Sequence, residues 1–334
     1  MIRQAFLSEE KVAIAAFLAL SGLDQPHDPT ETLYIEENGQ VIATVSRTGE
    51  LVSHLAVDMD HRGENLAEAI TSELIARMNA EGLHRHLVYT KPEYAAIFIA
   101  LHFQMVAAAD KVAILESGYP LLTDELALIR AAIERTTGMP ITETDLGAIV
   151  VNCNPMTLGH LRLIEYAASR HRHLLVFVLE EDRSVFSYQE RAAMVWLGCR
   201  ALGNVIVLPS TKYIVSDLTF PSYFLKTMDE RDEAHARLDA RIFRDRFMPS
   251  LHIAKRYIGT EFDPMMIRYN AILKETLKTG IEEIIRYEAD GDPISASRVR
   301  KLLATGDTEA ALALVPPANR SMLAAIAKSK YGKS

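Results

Sequence analysis

Two short stretches carry residues that could do chemistry. Thr157, Gly159 and His160 follow an apolar run, and Ser295, Ser297, Arg298 and Arg300 stand together far along the chain. Hydroxyls, an imidazole and guanidinium groups at the start of helices suit one task, the holding of phosphate oxygens. Ahead of the first group, Ala148-Ile149-Val150-Val151 has the length and β-branched content of a buried strand. A polar loop over 152–156 follows, with Asn152 and Asn154. Leu158, Leu161, Ile164 and Ala168 then recur at helical spacing, with Thr157 placed to cap the helix. A strand, a tight loop and a helix aim several N–H groups at one point, which suits a phosphate. His160 comes one turn after Thr157, so the two side chains can face the same anion.

The second group has the same character. Pro293 ends a loop, and Ser295 or Ser297 starts a helix that runs through Leu302 and Leu303 to Gly306. Again a helix N-terminus carries hydroxyls and arginines.

The elements that position these groups follow from periodicity. Leu174 to Leu179 reads as a second buried strand, Val205 to Leu208 as a third, Tyr257-Ile258-Gly259 as the end of a fourth, and 281–287 contains a fifth. A helix holding Trp196 lies between the second and third. Strands alternating with helices predict a parallel α/β sheet with ligands outside its carboxyl edge, where both phosphate-binding groups belong. The basic residues Arg237, Arg241, Arg244, Arg246, Lys255 and Arg256 read as a solvated face, with a docking surface for an acidic partner protein as the alternative.

Residues 1–120 have another pattern. Ser8 caps a helix to Leu20, with Val12, Ala15, Ala16 and Leu18 along its face. Thr32 to Val45 is a hairpin turning at Asn38-Gly39. Leu51 to Val57 is a strand, followed by a loop at 61–67 and a helix to Ala80. Leu87 to Thr90 is a strand, Tyr94 to Leu101 a helix, and 105–115 has strand character. A connector over 121–146 holds a helix capped by Thr123-Asp124-Glu125, with Leu126, Leu128, Ile129 and Ile133 on its apolar side. These readings give an N-terminal α+β domain over 1–120, the connector helix, and a Rossmann-like parallel-sheet domain over 147–334.

Composition bounds the function. The 334 residues are enough for two domains, each with a core. A net charge of −8 argues against nucleic acid as a partner. No apolar run reaches the about 18 residues of a membrane span, and Met1-Ile2-Arg3-Gln4 lacks the features of a secretory signal, so the expected location is the cytoplasm. Cys153 and Cys199 have no metal-ligand spacing and read as reduced and partly buried.

Thr157-Leu158-Gly159-His160 resembles the (His/Thr)-x-Gly-His signature of the nucleotidyltransferase superfamily. Ile294-Ser295-Ala296-Ser297-Arg298-Val299-Arg300 resembles its Ile-Ser-Ser-(Thr/Ser)-x-Val-Arg motif, with Ala296 in place of a Ser. Phe186-Ser187 and Glu190-Arg191 resemble the Phe-Ser-x-x-Glu-Arg stretch of the same proteins. The resemblance implies His160, Thr157 and Arg300 as catalytic residues. It implies Asn152, Asn154, Gly159, Ser295, Ser297 and Arg298 as nucleotide-binding residues.

The N-terminal order of elements resembles the acetyltransferase-like (GNAT) fold. In those proteins an Arg/Gln-x-x-Gly-x-Gly/Ala loop binds the pyrophosphate of coenzyme A. Arg62-Gly63-Glu64-Asn65-Leu66-Ala67 stands at that place, with Asn65 instead of the central Gly. Arg62, Gly63 and Asn65 are therefore the expected contacts for a coenzyme-A-like arm.

Three further features resemble the citrate lyase ligase family. They are the 152–160 form of the first motif, Phe220-Pro221-Ser222-Tyr223-Phe224-Leu225-Lys226, and Ile258-Gly259-Thr260-Glu261 followed by Tyr269-Asn270. This domain order also belongs to that family. The resemblance implies an AMP-forming acid–thiol ligase. ATP and acetate give acetyl-AMP, and the acetyl group passes to the prosthetic-group thiol on the citrate lyase acyl-carrier subunit. Magnesium is expected on the ATP phosphates, with no dedicated protein cage. The alternative is a nucleotidyltransferase that adenylylates a cofactor precursor such as pantetheine phosphate. A third possibility is a non-enzymatic regulator that binds coenzyme A.

Overall fold

The computed structural model describes residues 1–180, 184–214, 228–285, 288–289 and 292–331. The Phe220 to Lys226 stretch, residues 181–183 of the loop before Phe186, and Arg286-Tyr287 lie outside the described residues. Two compact units are formed. One comprises Met1–Glu125 with Pro221–Ala234, and the other Leu126–Phe220 with His235–Ser334.

The first unit is built from β1 (Ile2–Gln4), α1 (Ser8–Leu20), β2 (Glu31–Glu37), β3 (Gln40–Thr48), β4 (Leu51–Val57), α2 (Leu66–Ala80), β5 (Arg85–Thr90), α3 (Ala95–Ala100), β6 (Gln104–Ala108) and β7 (Ala113–Gly118). The strands form a seven-stranded sheet of order β1-β2-β3-β4-β5-β7-β6. This is the α+β arrangement expected from the order of elements. The β2–β3 hairpin turns at Asn38 (φ 51°) and Gly39 (φ 80°), as Asn-Gly requires. Strand β4 pairs in parallel with β5 only at Leu51↔Leu87 and Val52↔Val88. It also bulges against β3 near His54, whose φ is 53°. A short pairing and a bulge part the two strands and leave a cleft between them.

Local expectations change in several places. Ser8 is the first helical residue of α1 and not its cap; the Glu10 carboxylate accepts the Phe6 and Leu7 N–H groups at 2.8 and 2.9 Å. The buried face of α1 is Ile14, Phe17 and Leu18, while Val12 is exposed. The i, i+3, i+4 stripe through Ile14 excludes Val12. Residues 105–115 resolve into the antiparallel pair β6 and β7.

The connector forms α4 (Leu122–Thr137), which begins before Thr123 and has Asp124 accepting the Leu121 N–H at 2.9 Å. Leu126, Ile129 and Ile133 are buried, but Leu128 is exposed, because it lies about 200° around the helix from Leu126.

The second unit continues with β8 (Leu146–Val151), α5 (Leu158–Ala168), β9 (His173–Val178), α6 (Tyr188–Cys199), β10 (Val205–Pro209), α7 (Met228–Ile242) and α8 (Met248–Ser250). After these come β11 (Ile253–Gly259), α9 (Pro264–Leu277), β12 (Ile281–Ile284), the short pair β13 (Glu288–Ala289) and β14 (Asp292–Pro293), α10 (Ala296–Ala304), α11 (Thr308–Ala313) and α12 (Arg320–Tyr331). Strands β8 to β12 form a parallel sheet of order β10-β9-β8-β11-β12. The order reverses between β8 and β11, and ligands of such sheets bind at the carboxyl edge beside that reversal.

One face of the sheet packs Ile149, Val151, Val176 and Val178 against Ile164, Met194, Val195, Val299 and Leu323. On β9, Phe177 meets Phe247 edge-on at 5.7 Å. Arg256 does not join a solvated face. It is buried in β11, bonded to Asp239 at 3.1 Å, and its pairing with a buried carboxylate holds its charge. Cys153 and Cys199 are both fully buried, and burial pushes the Cys199 thiol up to about 12. No helix among the described residues is long and apolar enough to cross a membrane.

At the amino end of the sheet, His171 bridges Asp145 (2.8 Å) and the Tyr257 hydroxyl (2.9 Å). Its ring lies over Gly147, where an added Cβ would meet His171 Cδ2 at 2.4 Å. The ring cannot yield without breaking both bonds. Gly147→Ala should therefore destabilise the second unit by about 1–3 kcal/mol. Thermal melting of the variant checks this, and an unchanged midpoint would mean that the ring moves freely.

Candidate functional site

The loop after β8 turns into α5 through Thr157, whose backbone is extended (φ −117°, ψ 169°). Its hydroxyl accepts the His160 N–H at 3.4 Å, and its own N–H donates to His160 Nδ1 at 3.0 Å. The hydroxyl also lies 2.9 Å from Nδ1. Because Nδ1 accepts the Thr157 N–H, the neutral ring carries its proton on Nε2. Thr157 is 1 % exposed, so it does not share an anion-facing surface with His160. It holds the imidazole instead.

The second motif meets the first. Ser295 caps α10 by accepting the Arg298 N–H at 3.1 Å. A Cβ on Gly159 would lie 3.1 Å from the Ile294 carbonyl oxygen, so the absence of a side chain lets α5 begin against the second motif. Arg300 crosses the junction, donating from Nη1 to the Asn154 carbonyl oxygen and from Nη2 to Ser297 Oγ at 3.1 Å. The Leu158 N–H goes to Leu314 O at 2.9 Å. Two of the first three N–H groups of α5 are thus used within the protein. Among the described hydrogen bonds, Gly159 N–H keeps no such partner.

Asn152 and Asn154 shape the loop between them. The Asn154 side chain accepts the Phe186 N–H at 3.1 Å. The Asn152 amide oxygen accepts from Arg191 Nη1 at 2.9 Å, and its Nδ2 lies 3.4 Å from Ser184 Oγ. Arg191 was not among the expected site residues. It falls on the stripe of Met194, Val195 and Cys199, and a charged residue on an otherwise apolar stripe is the signal that marks it. Glu190 accepts the Ser187 N–H at 2.8 Å and pairs with Lys330 of α12 at 3.1 Å, closing the back of this loop.

Arg62, Gly63 and Asn65 belong to the first unit. Gly63 has φ 95° and Asn65 φ 57°, so Asn65 takes the left-handed conformation that a glycine would adopt there. No side chain caps α2, which leaves its first-turn N–H groups to the loop. The loop borders a cavity of about 940 Å³ reaching inward to Phe17, Leu55 and Phe98. His54 also lines it, and burial pushes that imidazole down to about 4, so it is uncharged at neutral pH. No group of three or more His, Cys, Asp or Glu side chains among the described residues could hold a metal ion.

A family model described as the citrate lyase ligase C-terminal domain matches residues 146–323. The [citrate [pro-3S]-lyase] ligase of Klebsiella pneumoniae is 34% identical over 328 residues, covering 96% of this chain and 94% of that protein. The ligase of the same name from Escherichia coli strain K12 is 31% identical over 319 residues, 92% of this chain and 89% of that protein. Among solved structures, the ribosomal-protein-S18-alanine N-acetyltransferase of Escherichia coli matches over 36% of this chain and 96% of its own, at 15% identity and a TM-score of 0.28. An aminoglycoside 6'-N-acetyltransferase complexed with coenzyme A matches 36% of this chain and 98% of its own, at 9% identity and a TM-score of 0.32.

Proposed function

Because this chain belongs to the citrate lyase ligase family, we propose that it acetylates the prosthetic-group thiol of the citrate lyase acyl-carrier subunit, using acetate and ATP. The observation that carries the reading is the junction of the two motifs, where Gly159 abuts Ile294 and Arg300 reaches the Asn154 carbonyl. Such a junction gathers an imidazole N–H, a guanidinium and a backbone N–H around one loop at the carboxyl edge of a parallel sheet.

In the first step a carboxylate oxygen of acetate attacks the α-phosphorus of ATP. Pyrophosphate leaves and acetyl-AMP forms. Acetate is ionised at neutral pH, so no base is needed; the demand is for positioning and for charge neutralisation on the phosphates. His160 Nε2–H donates to a phosphate oxygen as charge moves onto pyrophosphate. Thr157 fixes the ring for that bond, and Arg300 neutralises the β- and γ-phosphates. A magnesium ion held by those phosphates would add charge neutralisation there.

In the second step the arm's thiolate attacks the acetyl carbonyl carbon. The sulfur–carbon bond forms, the bond to AMP breaks, and the thiol proton is lost to solvent. An ordinary thiol has a pKa of about 8.5, so part of the population is ionised without help.

The test is acetate- and ATP-dependent acetylation of deacetylated citrate lyase, with release of AMP and pyrophosphate. Pyrophosphate exchange that responds to pantetheine phosphate and not to acetate would overturn the reading in favour of adenylylation of a cofactor precursor.

The first unit grips the arm. Its phosphates lie against the 62–67 loop and the free start of α2, and its pantetheine portion enters the cavity between β4 and β5. Holding the arm raises the local concentration of the thiol. Arg62→Glu should leave acetyl-AMP formation intact and raise the KM for the carrier subunit several-fold. If both half-reactions run as in the wild type, the loop does not hold the arm.

A further inference from the structure

Arg191 is fully buried on α6, yet its described hydrogen bonds point toward the carboxyl edge of the sheet. Nη1 donates to Asn152 O (3.0 Å), to Asn152 Oδ1 (2.9 Å) and to Leu179 O (2.8 Å), and Nε donates to Phe186 O (3.0 Å). Asn152 follows β8, Leu179 follows β9, and Phe186 precedes α6. One guanidinium therefore ties the ends of two neighbouring strands to a third segment.

We propose that Arg191 is a positioning residue for the nucleotide: it orients the Asn152 amide and holds the loop that meets ATP. The proposal rests on the ATP reading above. The side-chain amide of Asn152 has two possible orientations. Ser184 Oγ lies 3.4 Å from Nδ2 and donates to Oδ1 at 3.5 Å, so it does not distinguish them; donation from Arg191 to Oδ1 does, and it leaves Nδ2 as the donor of the amide. A donor suits a phosphate or ribose oxygen, and the flipped amide would present an acceptor.

The cost of burial argues in the same direction. A side chain serving only to fill the core would be apolar, since a buried charge is expensive unless its bonds are needed. Here every described bond fixes backbone or amide oxygens at the edge where ligands of parallel sheets bind. A lysine could not reproduce the set. It offers one nitrogen, while Arg191 reaches Phe186 and Asn152 from different nitrogens of a rigid plane.

The test measures ATP affinity by calorimetry, in magnesium buffer, on the full-length wild type, Arg191→Lys, Asn152→Ala and the double variant, with thermal melting alongside. Each single change is expected to weaken ATP binding about tenfold, and the double change to be no worse than the single ones, because both act through one amide. Arg191→Lys binding ATP within about twofold of wild type would overturn the proposal, as would losses that multiply in the double variant. If Arg191→Lys does not melt cooperatively, Asn152→Ala decides, since it leaves Arg191 in place: a tenfold loss supports the proposal and unchanged affinity overturns it. A wild type that binds no ATP would overturn the ATP reading itself, a result distinct from any difference among the variants.

Discussion

His160→Ala should slow acetate-dependent pyrophosphate exchange by roughly 30- to 1000-fold, the equivalent of about 2–4 kcal/mol of barrier. The size of the effect follows from preorganisation. Thr157 supplies both the N–H that makes Nδ1 an acceptor and the hydroxyl beside it, so the ring is held in one tautomer before ATP arrives. An N–H already aimed where charge develops needs no reorganisation during the reaction. Truncation also removes half of a reciprocal cap on α5, at a cost of about 1 kcal/mol of stability. That is small against the ~5–15 kcal/mol that holds a typical domain, so the variant should fold and melt only slightly early. Near-normal exchange in a folded His160→Ala protein would remove His160 from the chemistry.

What the sequence revealed depended on the range of the interaction. The 148–151 strand, the Asn38-Gly39 hairpin and the Thr157 and Ser295 caps are local, set by residues within a turn or two of each other, and they stand in the structure. The faces of α1 and α4 were harder, because small or apolar residues occur on both sides of each helix and only the tertiary partner decides which side is buried. Ile14 rather than Val12, and Leu126 without Leu128, are decisions of that kind. Thr157 shows a different limit. A hydroxyl one turn before a histidine suggests two groups facing one anion, but the unsatisfied first turn of the helix competes for the same hydroxyl and takes it.

The least legible feature was the junction itself. Gly159 looks from its motif like a phosphate contact, whereas its missing side chain makes room for Ile294, a residue in the other motif. Arg191 likewise bonds segments on both sides of β9, and nothing in the helical period of α6 reveals what it reaches.

Arg300→Ala should weaken ATP binding roughly ten- to hundredfold and slow turnover, because a charge-assisted hydrogen bond contributes about 1.5–3 kcal/mol. Two effects combine in this residue. Its guanidinium brings positive charge to the junction, and its fork joins α10 to the first motif through Ser297 Oγ and the Asn154 carbonyl. Arg300→Lys separates them. Lysine keeps the charge but cannot occupy both oxygens in one plane, so it should recover part of the affinity for ATP and little of the turnover. Arg298 is the comparison. It stands at the variable position of the motif, its backbone N–H is already held by Ser295, and its Nη1 is buried. Arg298→Ala should therefore affect ATP binding less than Arg300→Ala, as measured by nucleotide titration and by acetate-dependent pyrophosphate exchange on both variants. A larger loss at Arg298 would mean that the guanidinium meeting the phosphates is the one at the variable position, and that Arg300 serves only to join the two motifs.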